Sequence, residues 1–150
     1  MKLVEKKKVL CLDWHNVFQI QDEWSKKDIV PDLHINRVWD LQAEGWEVHI
    51  LSYCGKRRAQ EVHSWASALP LKFDSVRTCN DRTGKWGKTS WAKWLGCTHL
   101  VDDNRSICQE ALEEGLEVLP VVSEWEPHIW YWGKPCQNFS EAVDRLLLDS

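Results

Sequence analysis

Long apolar runs are absent from this sequence, and so is any excess of positive charge. The first apolar run, from Val9 to Leu12, is far shorter than a signal-peptide core or the ~20 apolar residues of a membrane-spanning helix. We therefore expect a cytoplasmic protein that does not contact a membrane. The formal charge of -4 at pH 7 argues against general electrostatic binding to nucleic acid, which needs a concentrated basic surface. The basic run Lys56-Arg57-Arg58 is interpreted as the solvated end of a helix.

Paired cysteines are also absent. No Cys-x-x-Cys sequence occurs, and no cysteine has a metal-ligand spacing to a histidine. One of the six cysteines, Cys11, falls inside an apolar run that is predicted to be buried. We therefore expect reduced thiols, as is usual inside cells.

The sequence has no internal repeat, no low-complexity segment and, at 150 residues, no room for a second domain. We expect a single domain over residues 1–150. Strand-like and helix-like segments alternate along it, which predicts an α/β fold with a doubly wound, mostly parallel five-stranded sheet and helices on both faces. The predicted strands cover 9–12, 48–52, 71–79, 98–102 and 116–122. The predicted helices cover 31–44, 56–69, 88–95 and 105–114, and a last helix follows the capping sequence Asn138-Phe139-Ser140-Glu141.

Acidic and hydroxyl residues follow three of the predicted strands. Asp13 comes directly after the first strand, Ser52 ends the second, and Asp102 and Asp103 end the fourth. The carboxyl ends of parallel strands meet at one edge of the sheet, where open α/β folds keep their chemistry. Buried carboxylates that converge there need a cation. Mg²⁺ suits such a site because it prefers oxygen ligands and bridges to phosphate oxygens.

Lys88 lies at the start of the helix that precedes the second acidic cluster. The resulting order of Asp13, Ser52, Lys88 and Asp102-Asp103 resembles the four-motif signature of the haloacid dehalogenase (HAD) superfamily. The resemblance spans residues 9–104 and implies a HAD-like Rossmannoid domain. It also implies that Asp13 is the nucleophile, which attacks phosphorus and becomes an aspartyl-phosphate.

The other family roles fall on residues of the second and third motifs. The resemblance implies that Ser52 and Lys88 hold the transferring phosphoryl group and its developing charge. Tyr53 is assigned with them to substrate binding. Lys85 is the alternative for the lysine, but Lys88 lies closer to the start of the helical pattern.

The second aspartate of the family's Asp-x-Asp motif is missing, and His15 stands at that position. In the family this aspartate is the general acid for the leaving group and then the base for the water. His15 either replaces it, since an imidazole with a pKa near ~6.5 donates and accepts protons at neutral pH, or marks a leaving group that needs no acid. In a third interpretation the site has lost catalysis and only binds phosphate or a partner.

Metal binding depends less on this substitution, because the family's residue at this position binds the cation through its backbone carbonyl. The resemblance therefore implies a Mg²⁺ site made by Asp13, the carbonyl of His15, Asp102 and Asp103. Asn16 replaces a glycine that is common in the family. Asparagine tolerates a left-handed backbone better than most residues, so the turn is expected to survive.

No segment is long enough for the cap domain that most family members insert; residues 14–30 could form only a short flap beside Asp13. The resemblance thus implies a capless, magnesium-dependent phosphohydrolase for a phosphorylated small molecule or macromolecule. The alternative is a catalytically silent HAD-like module that binds a phosphorylated ligand or a protein partner. A third hypothesis, a metal-free hydrolase resembling the dehalogenases, is disfavoured by the paired Asp102-Asp103. The sequence leaves the oligomeric state open.

An aromatic segment, residues 124–137, is predicted to lie at the same sheet edge as Asp102. It contains Trp125, Trp130, Tyr131 and Trp132. It is either a packed lid or plug, or an aromatic wall of the substrate pocket or a partner surface.

Overall fold

Seven strands and five helices make up the part of the chain that the computed structural model describes, which is residues 7–123 and 134–148. Strands and helices alternate from residue 32 onward, as the sequence pattern predicts. The elements in chain order are β1 (Val9–Leu12), β2 (Ile20–Gln21), β3 (Asp28–Ile29), α1 (Asp32–Ala43), β4 (Glu47–Tyr53), α2 (Lys56–Ala68), β5 (Ser75–Cys79), α3 (Lys88–Trp94), β6 (His99–Asp102), α4 (Arg105–Glu113), β7 (Glu117–Pro120) and α5 (Phe139–Leu148).

The main sheet has five strands in the order β5-β4-β1-β6-β7, and every neighbouring pair is parallel. β1 is central, with Leu12 opposite Ile50 of β4 and Val101 of β6. The carboxyl ends of β1, β4 and β6 therefore lie side by side. The predicted doubly wound parallel sheet is confirmed.

Alternate side chains of the central strands enter two separate cores, because successive residues of a strand point to opposite faces. Leu10 and Leu12 belong to a core formed with side chains of α1, α2 and α5. Cys11 belongs to the second core, formed with side chains of α3 and α4. Helices thus cover both faces of the sheet, as predicted.

Residues 14–30 are more ordered than the sequence indicates. Phe18 packs edge-on against Phe73 and Phe139, with both ring centroids 5.5 Å away. Beyond it, β2 and β3 pair antiparallel as a short hairpin, whose turn is held by the hydrogen bond that the Ser25 amide donates to Asp22. We call residues 20–29 the flap. No separate cap domain occurs in the described residues, as expected.

Two strand boundaries differ from the predictions by more than one residue. β5 begins at Ser75 rather than residue 71, because Asp74 exchanges hydrogen bonds with Val48 and the residues before it pack on the core without pairing. β7 ends at Pro120 rather than residue 122. Beyond that point, the backbone pairs with Cys136.

The six cysteines are all buried, and none forms a disulfide. They are Cys11, Cys54, Cys79, Cys97, Cys108 and Cys136. Among the described helices, none combines the length and the apolar character needed to cross a membrane. Most of the aromatic segment, residues 124–133, lies outside the described part of the chain.

Candidate active site

Three acidic side chains converge at the carboxyl edge of the sheet. Asp13 continues β1 and donates its backbone N–H to Val101 of β6, at 3.0 Å. Asp102 ends β6, and Asp103 follows it. All three side chains are buried, and a carboxylate oxygen from each lies within 4.8 Å of the others. The parallel order of β1 and β6 is therefore what brings these acids together.

Lys88 joins two of these acids. Its Nζ is 2.7 Å from Oδ1 of Asp13 and 2.5 Å from Oδ2 of Asp102. Burial alone favours the neutral amine, but the charges of Asp102 and Asp13 outweigh it and raise the pKa of Lys88 well above its ordinary value. Lys85 is exposed, with its ammonium over the Trp86 ring. Of the two candidate lysines, it is Lys88 that the structure places at the acids.

Gly87, just before α3, allows this placement. A Cβ built there would lie 2.4 Å from the backbone carbon of Thr83. The loop closes back on itself through hydrogen bonds from Gly87 to Gly84 and from Lys88 to Arg82. Only a residue without a side chain fits this approach, and Lys88 follows as the first residue of the helix.

Fully ionised, the three carboxyl groups would carry more negative charge than Lys88 balances. When all are ionised, three carboxylates face one ammonium, which leaves an excess of two negative charges. Burial and the charges of Asp13 and Asp102 raise the pKa of Asp103 to about 9. Burial and the charge of Asp13 raise the pKa of Asp102 to about 6, against the effect of Lys88. Clustered oxygen donors with this excess charge fit a divalent cation such as Mg²⁺.

His15 lies beside the acids, in the turn that leaves β1. Asn16 adopts the left-handed backbone, with φ of 65°, a conformation that asparagine tolerates better than most residues. The Nδ1 of His15 is 3.2 Å from Oγ of Ser52 at the end of β4. Burial lowers the pKa of His15, while the charge of Asp13 opposes the change. The first and second motifs therefore meet through this pair.

A cavity of about 500 Å³ opens above these residues. Asp13, His15, Tyr53 and Lys88 line it, together with both acids that end β6. Ser52 is fully buried and is not among the lining residues. The other lining residues are Asn16, Gln19, Gln21, Asp28, Arg58, Asn104 and Ile107.

Sequence reasoning missed several polar contributors to this cavity. Gln19 is held by the hydrogen bond that Nε1 of Trp14 donates to its Oε1, at 2.7 Å. Asp28 comes from the flap, and Arg58 comes from the first turn of α2. Arg58 is exposed, as its interpretation as a helix end predicts, and it also lines the cavity. No sequence signal separates it from an ordinary solvated helix end, because only the fold brings the first turn of α2 to the cavity.

Comparison with solved structures supports the fold. The crystal structure of D,D-heptose 1.7-bisphosphate phosphatase from B. bronchiseptica, complexed with magnesium and phosphate, matches this chain with a TM-score of 0.71 and 14% sequence identity. The match covers 95% of this chain and 99% of that chain. No protein-family model matches the sequence, and comparison with curated proteins gives no significant match.

At this sequence identity the likeness establishes the fold. The chain has a HAD-like Rossmannoid fold, with a parallel five-stranded sheet covered by helices on both faces, and shares this fold with that phosphatase. The predicted fold class is therefore confirmed.

Proposed function

We propose that this protein is a capless, magnesium-dependent phosphohydrolase that uses Asp13 as its nucleophile. The observation that carries the proposal is the contact of Asp13 with Lys88 on the floor of an open cavity, beside two further acids. A carboxyl group in direct contact with a buried ammonium is suited to attack phosphorus as a carboxylate. A neighbour of the same fold was crystallised with magnesium and phosphate, which supports this choice of chemistry.

The proposed reaction has two displacements at phosphorus. The Asp13 carboxylate forms a bond to phosphorus while the bond to the leaving oxygen breaks, which gives an aspartyl-phosphate. Water then attacks phosphorus, the bond to Asp13 breaks, and inorganic phosphate leaves. Lys88 is fixed between Asp13 and Asp102 and stabilises the negative charge that develops on the phosphoryl oxygens.

Asp13, Asp102, Asp103 and the carbonyl of His15 are the groups proposed to hold Mg²⁺. When bound, the ion would neutralise the carboxylates and polarise a phosphoryl oxygen. The convergence of three buried carboxyl groups, which when ionised would outnumber the single ammonium of Lys88, supports this assignment.

His15 is proposed to move the proton in both displacements. Its ring lines the cavity two residues after Asp13, and its contact with Ser52 engages Nδ1, which leaves Nε2 for proton transfer. In the first displacement the imidazolium gives its proton to the leaving oxygen. In the second, the neutral ring accepts a proton from the attacking water.

The second candidate function is a silent module that binds a phosphorylated ligand. The substitution of His15 for the acid/base aspartate is the observation that favours it. Under this hypothesis Asp13, Lys88 and Mg²⁺ hold the ligand, and no bond to phosphorus breaks.

A phosphatase screen with and without Mg²⁺ tests the enzyme hypothesis. We expect magnesium-dependent release of phosphate by the wild type and background activity in Asp13→Asn. Beryllofluoride with Mg²⁺ mimics an acyl phosphate on a carboxylate, so it should raise the melting temperature of the wild type by mass action. Asp13→Asn should lose this increase.

Metal binding is measured separately by calorimetry. Asp102→Asn should bind Mg²⁺ more weakly than the wild type, while Asp32→Asn, which changes an exposed acid in the first turn of α1, should bind it equally. Equal affinity in all three proteins would contradict the proposed metal site.

Variants at position 15 separate the two candidate functions. If His15 is the acid/base, His15→Ala should lose about a hundredfold to ten-thousandfold in rate, and His15→Asp should regain activity. Activity in His15→Asp together with an inert wild type would identify the natural protein as the silent module. Undiminished turnover by His15→Ala would show that the leaving group needs no acid.

A further inference from the structure

The cavity wall contains a cation that the proposed reaction does not use. Lys88 is already engaged by Asp13 and Asp102. Arg58 lines the same cavity, is exposed, and has no hydrogen-bond or ion-pair partner among residues 7–123 and 134–148. Its guanidinium is therefore free to bind a ligand.

Helix stability does not explain a cation at this place. Arg58 lies in the first turn of α2, which also carries Lys56 and Arg57 and has no acidic residue. The helix dipole stabilises negative charge at an N-terminus and disfavours positive charge there. Of these three basic residues, only Arg58 is among those that line the cavity.

The cavity is larger than its phosphoryl end requires. The acids and Lys88 are buried at its floor. Tyr53, the last residue of β4, and Arg58, in the first turn of α2, are exposed. A volume of about 500 Å³ accommodates more than a phosphate group. A ligand bound at the floor and extending toward solvent therefore has a guanidinium in the wall of the same cavity.

We propose that Arg58 determines specificity by binding a second anionic group on the ligand, a carboxylate or a phosphate. A guanidinium is suited to this task because its planar array of donors matches either group with two parallel hydrogen bonds. This inference rests on the proposed function in one respect: the ligand's phosphoryl group is taken to lie at Asp13.

Asp28 supplies a charge of opposite sign for the test. It lines the cavity from the flap and has no ion-pair partner in the described part of the chain. Removing the charge of Arg58 should weaken binding of a second anion, whereas removing the charge of Asp28 should strengthen it. A general disturbance of the cavity would weaken binding of the second anion in both variants.

Calorimetry of the full chain with Mg²⁺ and non-hydrolysable alkylphosphonates tests the proposal. The probes have chains of two to four methylenes and end in a carboxylate, a second phosphonate or a neutral amide. At the best chain length, we expect the wild type to bind an anionic probe about tenfold more tightly than its amide counterpart, as a charge-assisted hydrogen bond predicts. Arg58→Gln should abolish this preference while still binding the amide probe, and Arg58→Lys should keep part of it.

Arg57→Gln is the matched control, since it removes a neighbouring exposed charge of the same helix turn that is not among the lining residues. It should keep the full preference, and Asp28→Asn should increase it. Equal binding of anionic and amide probes by the wild type at every length, or no binding of any probe, would overturn the proposal. An equal loss in Arg57→Gln and Arg58→Gln would also overturn it. Because the probes cannot be hydrolysed, binding with this preference in a protein that turns over no ester would reject only the enzyme function.

Discussion

His34 is a polar side chain placed in the aromatic part of the core. Its Nδ1 lies 2.7 Å from the carbonyl oxygen of Phe18 and donates a hydrogen bond to it. The ring packs edge-on against Phe139, with centroids 5.2 Å apart. Burial lowers the pKa of His34, and the hydrogen bond to Phe18 opposes the change only in part. The folded protein therefore favours the neutral ring.

This burial predicts a loss of stability in acid. Unfolding restores the ordinary pKa near ~6.5, so the unfolded state binds more protons below that pH. The free energy of unfolding should then fall as the pH drops from about 6.5 toward the lowered pKa, by at most about 1.4 kcal/mol per pH unit for one proton.

Urea unfolding at several pH values measures this change, and His34→Asn removes the titration while keeping a donor for Phe18. The pH slope of the wild type should exceed that of His34→Asn in this range. His63→Asn changes an exposed ring of α2 and should keep the wild-type slope. Identical slopes in the wild type and His34→Asn would contradict the prediction.

Individual site residues differ in how far the sequence identifies them. Asp13 and Asp102 could be located because each ends an apolar run, at the point where a buried strand reaches the edge of the sheet. Arg58 could not be located in this way. The sequence of an exposed basic helix end does not reveal whether it contacts only solvent or also borders a cavity. The contact between His15 and Ser52 depends on side-chain directions that no spacing specifies.

At the scale of elements, α3 shows how a loop positions a charged side chain. It is a short helix, of 7 residues, without a side-chain cap. Its entry is fixed instead by the close approach of Gly87 to the backbone of Thr83. Gly55 occupies the corresponding position before α2, but a Cβ added there would meet nothing within 4 Å.

These two glycines provide a matched pair of variants. Both Gly87→Ala and Gly55→Ala lose the modest advantage of glycine over alanine at a helix start. Gly87→Ala should cost about 1–3 kcal/mol more, because the backbone must move to admit the methyl group. It should also lower activity or ligand affinity by displacing Lys88.

Denaturant unfolding and phosphonate binding measure these two effects. If Gly87→Ala matched Gly55→Ala in both, the close approach would have no role in placing Lys88.

Two strands were not predicted from the sequence, and the physical reason is the same for both. β2 and β3 have 2 residues each, too few to give a visible alternation of apolar and polar side chains. The start of β5 was predicted too early for the opposite reason: apolar residues precede the strand without belonging to it. Leu71 and Phe73 are apolar because they contact the core, although no strand of residues 7–123 and 134–148 pairs with them.

At the scale of the whole molecule, the site is assembled from distant parts of the chain. The segments that contribute Asp13, Ser52, Lys88 and Asp102 span about 90 residues. The alternation of strands and helices predicts a parallel sheet, but alternation alone does not specify the strand order. The resemblance at residues 9–104 supplied the expected Rossmannoid arrangement, and the order β5-β4-β1-β6-β7 brings these segments to one edge.

The buried cysteines make global opening of this fold measurable with a thiol reagent. Burial raises the pKa of Cys79 and Cys136 to about 11, so the folded protein holds them as unreactive thiols, shielded from solvent. Unfolding should increase their reactivity by about two orders of magnitude or more, because the thiolate fraction and the access both rise. Cys11, Cys54 and Cys108 also have raised pKa values; burial is the main cause for Cys54 and Cys108, and a hydrogen bond with Cys97 is the larger cause for Cys11.

At a reagent concentration where alkylation is faster than reclosing, we therefore expect the six thiols to react in a single slow phase, whose rate is that of cooperative opening of the domain. Mass spectrometry of partly labelled samples would show mainly chains with none or all six labels. Early labelling of one cysteine would instead locate a part of the sheet that opens on its own. The number of labels on a molecule then shows whether that molecule has opened. The fraction of fully labelled chains, followed over time, gives the rate of opening under native conditions.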